Sequence, residues 1–259
     1  MFANKTFVLT GANGGIGSEI AKSLTQEGVT LVLVGLNQTE LEQFNDTISG
    51  HHHVVEADIS SSKGRDKIFQ FCQQLNTGID ALINNAGIGQ FSLFENMTAD
   101  QVAAIININL TGTILLTQQL LPLLVSRPKS HIINIGSILG SIGFPGSSVY
   151  CASKFGIRGF TETLHRELMD SSTSVLYFAP RATQTAINNE KVVAMNDDLG
   201  TAMDTPQQVA DTFMTFLKSH KNHYYTGWPE KLFVRLNSVL PGIVDKSILK
   251  QLPIIKRYL

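Results

Sequence analysis

Apolar runs of strand length recur along this chain, and most of them are continuous rather than alternating. Residues 5–10, 30–35, 53–57, 79–83, 131–136 and 174–178 read this way, which is the pattern of parallel strands covered on both faces. Between the runs lie helix signals. A helical pattern extends through Glu27. Asn37 with Glu40 and Thr98 with Gln101 have the spacing of capping boxes. Thr205, Pro206 and Gln208 restart a helix with proline at its first position. Strand alternating with helix over one chain predicts an α/β fold, a doubly wound parallel sheet with helices on both faces.

Three stretches depart from that rhythm. Residues 113–125 form a long apolar helix, suited to the core or to an interface, and Phe155, Ile157, Phe160, Leu164 and Leu168 make an apolar stripe on the helix opened by Tyr150. Residues 186–204 turn polar and irregular, as expected of a substrate lid. Residues 228–259 read as an amphipathic extension. Its first helix spans about 229–240, and Val244, Ile248, Leu252, Ile255 and Leu259 then recur at near-helical spacing, with Pro253 expected to break or kink the stretch. That stripe packs on the protein or a second subunit, or it forms an apolar rim over a cleft.

The chemistry concentrates at strand ends. Residues 5–10 run into Gly11-Ala-Asn-Gly-Gly-Ile-Gly17 and then a helix, the order in which glycines permit a tight turn, close approach of a pyrophosphate and close helix packing. The helix N-terminus would face the phosphates with free N–H groups. Ser137 closes the 131–136 run, so its hydroxyl emerges at the carboxyl edge of the sheet. Tyr150 and Lys154 stand four apart on one helix face. A phenol is a poor acid near neutrality unless a cation sits beside it. Alone, such a pair is commonly surface decoration; its company changes that.

Thr10-Gly11-x-x-x-Gly15-x-Gly17, Asn84-Asn85-Ala86-Gly87, Asn109, and Ser137 with Tyr150-x-x-x-Lys154 together resemble the short-chain dehydrogenase/reductase family from Lys5 to about Gly227. The resemblance implies a single Rossmann-type domain and hydride transfer between a nicotinamide and a carbonyl or secondary alcohol. It implies Tyr150 as acid and base, Ser137 as donor to the substrate oxygen, Lys154 lowering the tyrosine's pKa and holding the ribose, and Asn109 supporting a helix kink and a water beside Lys154. Expected cofactor contacts are Gly11, Asn13, Gly14, Gly15, Ile16, Gly17, Leu36, Asn37, Asp58, Ile59, Asn85, Ala86, Gly87, Tyr150, Lys154, Pro180, Thr183 and Thr185. The apolar helix faces are expected to pair as a homodimer or homotetramer. One departure stands out: the family's Pro-Gly is Pro180-Arg181 here, so Arg181 either is strained or lines the site.

Gly35-Leu36-Asn37 carries no acid to repel a 2′-phosphate, and Asn13 and Asn37 would bond one, so NADP(H) is favoured over NAD(H). Gly11, Gly14 and Gly17 also fit sugar-nucleotide epimerases and dehydratases, but little chain remains beyond Gly227 for their substrate domain. A non-catalytic redox sensor would be expected to lose the tyrosine or lysine. A chain of 259 residues, 43% hydrophobic, with net charge −1 suits one domain and a small-molecule carbonyl or alcohol substrate, including a lipophilic one, and gives no sign of a nucleic-acid partner. Its apolar runs are too short to span a bilayer, so membrane contact is expected to be peripheral at most. A strand starting near Met1 leaves no room for a signal peptide, and two cysteines, Cys72 and Cys151, predict a reducing cytoplasm. His51, His52 and His53 read as a loop rather than a metal tract.

Overall fold

A computed structural model describes residues 2–259. Strands β1 (Thr6–Thr10), β2 (Thr30–Gly35), β3 (His53–Glu56), β4 (Ala81–Asn84), β5 (Ser130–Ile135), β6 (Thr173–Ala179) and β7 (His223–Tyr225) form one sheet in the order β3-β2-β1-β4-β5-β6-β7. Every pair is parallel, with Val8 opposite Val32 on one side and Leu82 on the other. The chain reverses its direction of travel across the sheet between β3 and β4. A crevice therefore opens at the carboxyl ends of β1 and β4.

Helices α1 (Gly15–Gln26), α2 (Gln38–Thr47), α3 (Ser62–Gln74), α4 (Ala99–Ile106), α5 (Thr113–Val125), α6 (Ser148–Glu167), α7 (Glu190–Asp198), α8 (Pro206–Leu217), α9 (Glu230–Val239) and α10 (Pro241–Ile255) cover the sheet and its carboxyl edge. The strand runs are continuous because both faces are buried. Phe7, Leu9, Leu31, Leu33 and Phe178 pack with Ile20 and Leu24 of α1 and Phe213 and Phe216 of α8. Val8, Val32, Leu82, Ile132 and Val175 pack with Ile68, Leu116, Leu120 and Leu164 on the other face. Each such side chain contributes about 1.5–3 kcal/mol by leaving water.

Several local expectations change. Asn37 caps α2 by accepting from the Glu40 N–H at 3.2 Å, but the reciprocal half of a capping box is missing because the Glu40 carboxylate is held by two asparagine amides. Within the segment predicted to be irregular lies α7, capped by Asn189. Pro253 neither breaks nor ends α10, which runs through it to Ile255. Pro253 and Leu249 both lie on the exposed side, where water can take the carbonyl that the missing N–H leaves free. Ala99–Val125 form one helical stretch long and apolar enough to cross a membrane, contrary to the expectation from individual runs. A π-helical turn, Asn107–Gly112, joins α4 to α5 without a break, and Leu116, Leu120 and Leu124 of its inner side are fully buried in the sheet-facing core. The histidine run is structural: the His52 ring bonds the Leu31 N–H and Thr25, and His53 opens β3.

Candidate active site

The turn after β1 is tight for identifiable reasons. Gly11 has φ +62°, and a Cβ on Gly17 would lie 2.1 Å from the Gly11 carbonyl oxygen, so α1 can approach the turn only with glycine there. A Cβ on Gly15 would meet Thr185 at 2.7 Å, whereas one on Gly14 would find only Gly11 O at 3.3 Å. The steric demand thus falls on Gly11, Gly15 and Gly17, the single-domain oxidoreductase pattern. Thr10 and Asn85 lock this turn to β4. The Thr10 hydroxyl accepts from the N–H groups of Asn85 and Ala86, and the Asn85 amide donates to the carbonyls of Thr10 and Gly11, all at 3.0 Å. Asn84 donates to the side chains of Thr117 and Asn134. It points into the protein, and Asn85 faces the turn.

Helices α2, α3, α4, α7 and α8 each have a side-chain cap from Asn37, Ser61, Thr98, Asn189 and Thr205. Helix α1 has Gly14 at that position and no side-chain cap. Its first-turn N–H groups face the crevice, the arrangement that binds an anionic pyrophosphate.

Across the crevice, β5 ends beside Ser137, whose hydroxyl accepts from the Leu139 N–H at 3.1 Å. Tyr150 and Lys154 come from the first two turns of α6. The Lys154 ammonium donates to the Ile135 carbonyl at 2.9 Å and lies 5.8 Å from the Tyr150 ring centroid. Burial pushes the Tyr150 hydroxyl up to about 12, with its Ser137 hydrogen bond pulling the other way. Burial pulls Lys154 down to about 8. Burial is the largest cause at both groups. Tyr150 stands as a protonated acid beside a cation of reduced pKa.

Asn109, in the π-helical turn, is 1% exposed. It accepts from the Ile88 N–H at 2.8 Å and donates to the Ile88 carbonyl and the Ser153 hydroxyl. It fastens the loop after Gly87 to α6 and stands back from the cleft.

A cleft of about 820 Å³ spans the crevice. Its walls include Gly11, Gly14, Gly15, Ile16, Asn85, Ala86, Gly87, Ser137, Tyr150, Lys154, Pro180, Thr183 and Thr185. Gly17 is buried behind the turn, and Ile59 belongs to the core, with Arg65 donating to its carbonyl. Asp58, Leu36 and Asn37 are exposed beyond the end of the main cleft. At that end a carboxylate appears that no end-of-strand acid announced. Glu40 accepts from Asn13 Nδ2 at 3.2 Å and from Asn37 Nδ2 at 3.1 Å. Only folding brings the β1 and β2 turns to either side of it.

The far half of the cleft is mainly apolar, with Asn188, Asn196, Ser247 and Gln251 among its polar lining. Phe91, Leu139, Ile142 and Phe144 meet Val192, Met195 and Leu199 from α7 and its end, and Phe233, Val244 and Ile248 from the C-terminal helices. The C-terminal stripe anticipated Val244 and Ile248; Phe91, Phe144 and Met195 sit in loops or a short helix whose sequence gave no signal. Arg181 keeps an ordinary φ, so it is unstrained. It pairs with Asp204 at 2.7 Å and approaches Glu230 at 3.7 Å, bridging the end of the 186–204 segment to α9. No group of histidines, cysteines and acids among the described residues is arranged to hold a metal.

The family model for short chain dehydrogenase matches residues 5–196, and the chain belongs to that family, an NAD(P)-dependent oxidoreductase group. A relative, the 3-oxoacyl-[acyl-carrier-protein] reductase FabG of Aquifex aeolicus, is 32% identical over 233 residues, covering 86% of this chain and 93% of that protein. Among solved structures, a short chain dehydrogenase/reductase from Burkholderia phymatum in complex with NAD has TM-score 0.83 at 22% identity, covering 92% of this chain and 94% of that one. One from Burkholderia cenocepacia in complex with NADP has TM-score 0.81 at 19% identity, covering 96% and 99%. Both share the fold.

Proposed function

We propose that this protein transfers hydride between a nicotinamide dinucleotide and a carbonyl or secondary alcohol of lipophilic character, with Tyr150 as the acid and base. The observation that carries the reading is one crevice holding Ser137, Tyr150 and Lys154 on one side and the uncapped N-terminus of α1 on the other. The glycine cradle and free N–H groups fit a dinucleotide. Gly11, Gly14, Gly15 and Ile16 would hold its phosphates, and Ala86, Gly87, Thr183 and Thr185 would flank the nicotinamide. When bound, that group supplies or accepts the hydride.

Ser137 donates to the substrate oxygen and fixes its position. Tyr150, protonated over the working pH range, delivers its hydroxyl proton to the same oxygen and recovers it in the reverse direction. Lys154 places a positive charge beside the developing charge. Asn109 holds the loop and α6 at the spacing these groups need. The apolar far wall favours a carbonyl carrying a long apolar tail, while exposed Phe155 on α6 and Val125 on α5 suit a homo-oligomeric contact. Tyr150→Phe is expected to cut turnover by about 10²–10⁴-fold while dinucleotide binding, read by fluorescence titration, stays near wild type. Near wild-type turnover in that variant overturns the assignment.

The expectation of NADP(H) over NAD(H) rests on a missing acid, and Glu40 changes the argument. Its carboxylate occupies the amides of Asn13 and Asn37, which a 2′-phosphate would need, and a like charge repels that phosphate. A 2′-hydroxyl would instead donate to it. The preference therefore turns toward NAD(H). In titrations NAD(H) should bind more tightly, with Glu40→Gln narrowing the gap; tighter NADP(H) binding by the wild-type protein contradicts the role given to Glu40.

A further inference from the structure

The two C-terminal helices divide by face. Inward, Phe233 of α9 and Val244 and Ile248 of α10 wall the cleft, and Val244 is 3% exposed. Outward, Leu232, Arg235 and Val239 of α9 recur at three- and four-residue steps, as do Ile243, Lys246 and Lys250 of α10, so each set lies along one side of its helix. The apolar members of these stripes are bare: Leu232 is 41% exposed, Val239 75%, Ile243 50% and the adjacent Leu249 66%. Leu240, at the tip between the helices, is 51% exposed, and Trp228, four residues before Leu232, is 72% exposed. Asp245 is the only exposed acid on α9 or α10, against Arg235, Lys246 and Lys250.

We propose that this outward face docks the protein on an anionic lipid surface, with the mouth of the cleft turned toward the bilayer. Apolar side chains interleaved with basic ones are the composition of helices that lie in the headgroup region. Tryptophan favours the same depth. Charge selects lipid over a second copy of the chain. A two-fold contact sets this patch against the same patch, and with three exposed cations, Arg235, Lys246 and Lys250, to one exposed acid, Asp245, the two copies would meet with like net charge. Anionic headgroups supply the opposite sign. The placement also gives the apolar wall a role, because a lipophilic carbonyl would reach Tyr150 along the cleft wall that Phe233, Val244 and Ile248 form.

The route for substrate rests on the proposed function; the docking face does not, and the two are tested separately. The full chain is sedimented with phosphatidylcholine vesicles and with vesicles containing phosphatidylglycerol, at low and high salt. Wild type should bind the anionic vesicles, more weakly at high salt, and binding should fall at least about tenfold in Lys246→Glu/Lys250→Glu and in Val239→Asp/Ile243→Asp. Both variants should keep the wild-type melting temperature and the rate on a short water-soluble carbonyl. No binding to anionic vesicles, or binding undiminished in the folded variants, overturns the proposal. So does conversion of Val239→Asp/Ile243→Asp from oligomer to monomer in light scattering, which would make the face a contact between copies. Vesicle binding by a protein that turns over no carbonyl would leave the docking face standing and remove the catalytic reading.

Discussion

Among the described residues, the buried Lys154 ammonium donates only to a backbone carbonyl, that of Ile135. Burial disfavours its charged form and brings its pKa to about 8, so it is protonated below that pH and neutral above it. Tyr150, at about 12, keeps its proton throughout this range. Carbonyl reduction is therefore expected to fall as pH rises through about 8, as Lys154 loses its charge rather than as Tyr150 loses its proton. In Lys154→Arg, where the guanidinium stays protonated, the alkaline limb of the residual rate should move above about pH 10. Initial-rate pH profiles check this, and an unmoved limb would assign the titration to another group.

At the scale of elements, Arg181 connects parts of the chain that the sequence reads separately. Its pairing with Asp204 and approach to Glu230 tie the end of the 186–204 segment to α9, and the Asp204 hydrogen bond raises its pKa further. Glu230 Oε2 is buried without a hydrogen-bond partner, so the nearby guanidinium is its main compensation. Arg181→Ala is expected to cost about 1–3 kcal/mol of stability and to free the 186–204 segment from α9. Thermal melts should show the loss. Limited proteolysis should move its first cut into 186–204, and KM should rise more than kcat falls. An unchanged proteolysis pattern would deny the clamp.

Over the whole molecule, two groups at the amino-terminal edge of the sheet contribute to the acid limit, beside His52 and His223, whose pKa values burial also lowers. Burial among β-strand neighbours, with Lys129 nearby, pulls His131 down to about 4. Between about pH 6.5 and 4 the unfolded chain takes up a proton there that the folded protein refuses, so stability is lost as pH falls through that window. Asp80 follows at lower pH. Burial pushes its carboxyl up, but the Thr6 N–H, Arg127 and Lys5 outweigh it and hold it below its ordinary 3.8; that contribution is lost as pH falls below 3.8. His131→Gln is expected to flatten the decline in melting temperature between pH 6.5 and 4 and to leave the steeper loss below 3.8. A parallel decline in both proteins would place the proton uptake elsewhere.

The continuous apolar runs determined the parallel sheet, because a strand such as Phe7-Val8-Leu9 must serve two cores at once. The glycines after β1 and the Tyr150–Lys154 spacing were likewise legible, since a tight turn and a shared helix face depend on neighbours within a few residues. Local signals failed where distant chain segments meet. The spacing of Asn37 and Glu40 predicts a capping box, yet Asn13 from another turn holds the Glu40 carboxylate at the end of the crevice beside the β1 and β2 turns. Arg181 gains its partners from residues 23 and 49 positions later, and the cleft's apolar wall is assembled from the loops of Phe91 and Phe144, from α7, and from two C-terminal helices. The sequence by itself determined the elements and the carboxyl edge on which the chemistry sits. The tertiary structure alone decided which charges face that edge and which apolar faces are left to water, because both depend on contacts between residues far apart in the chain.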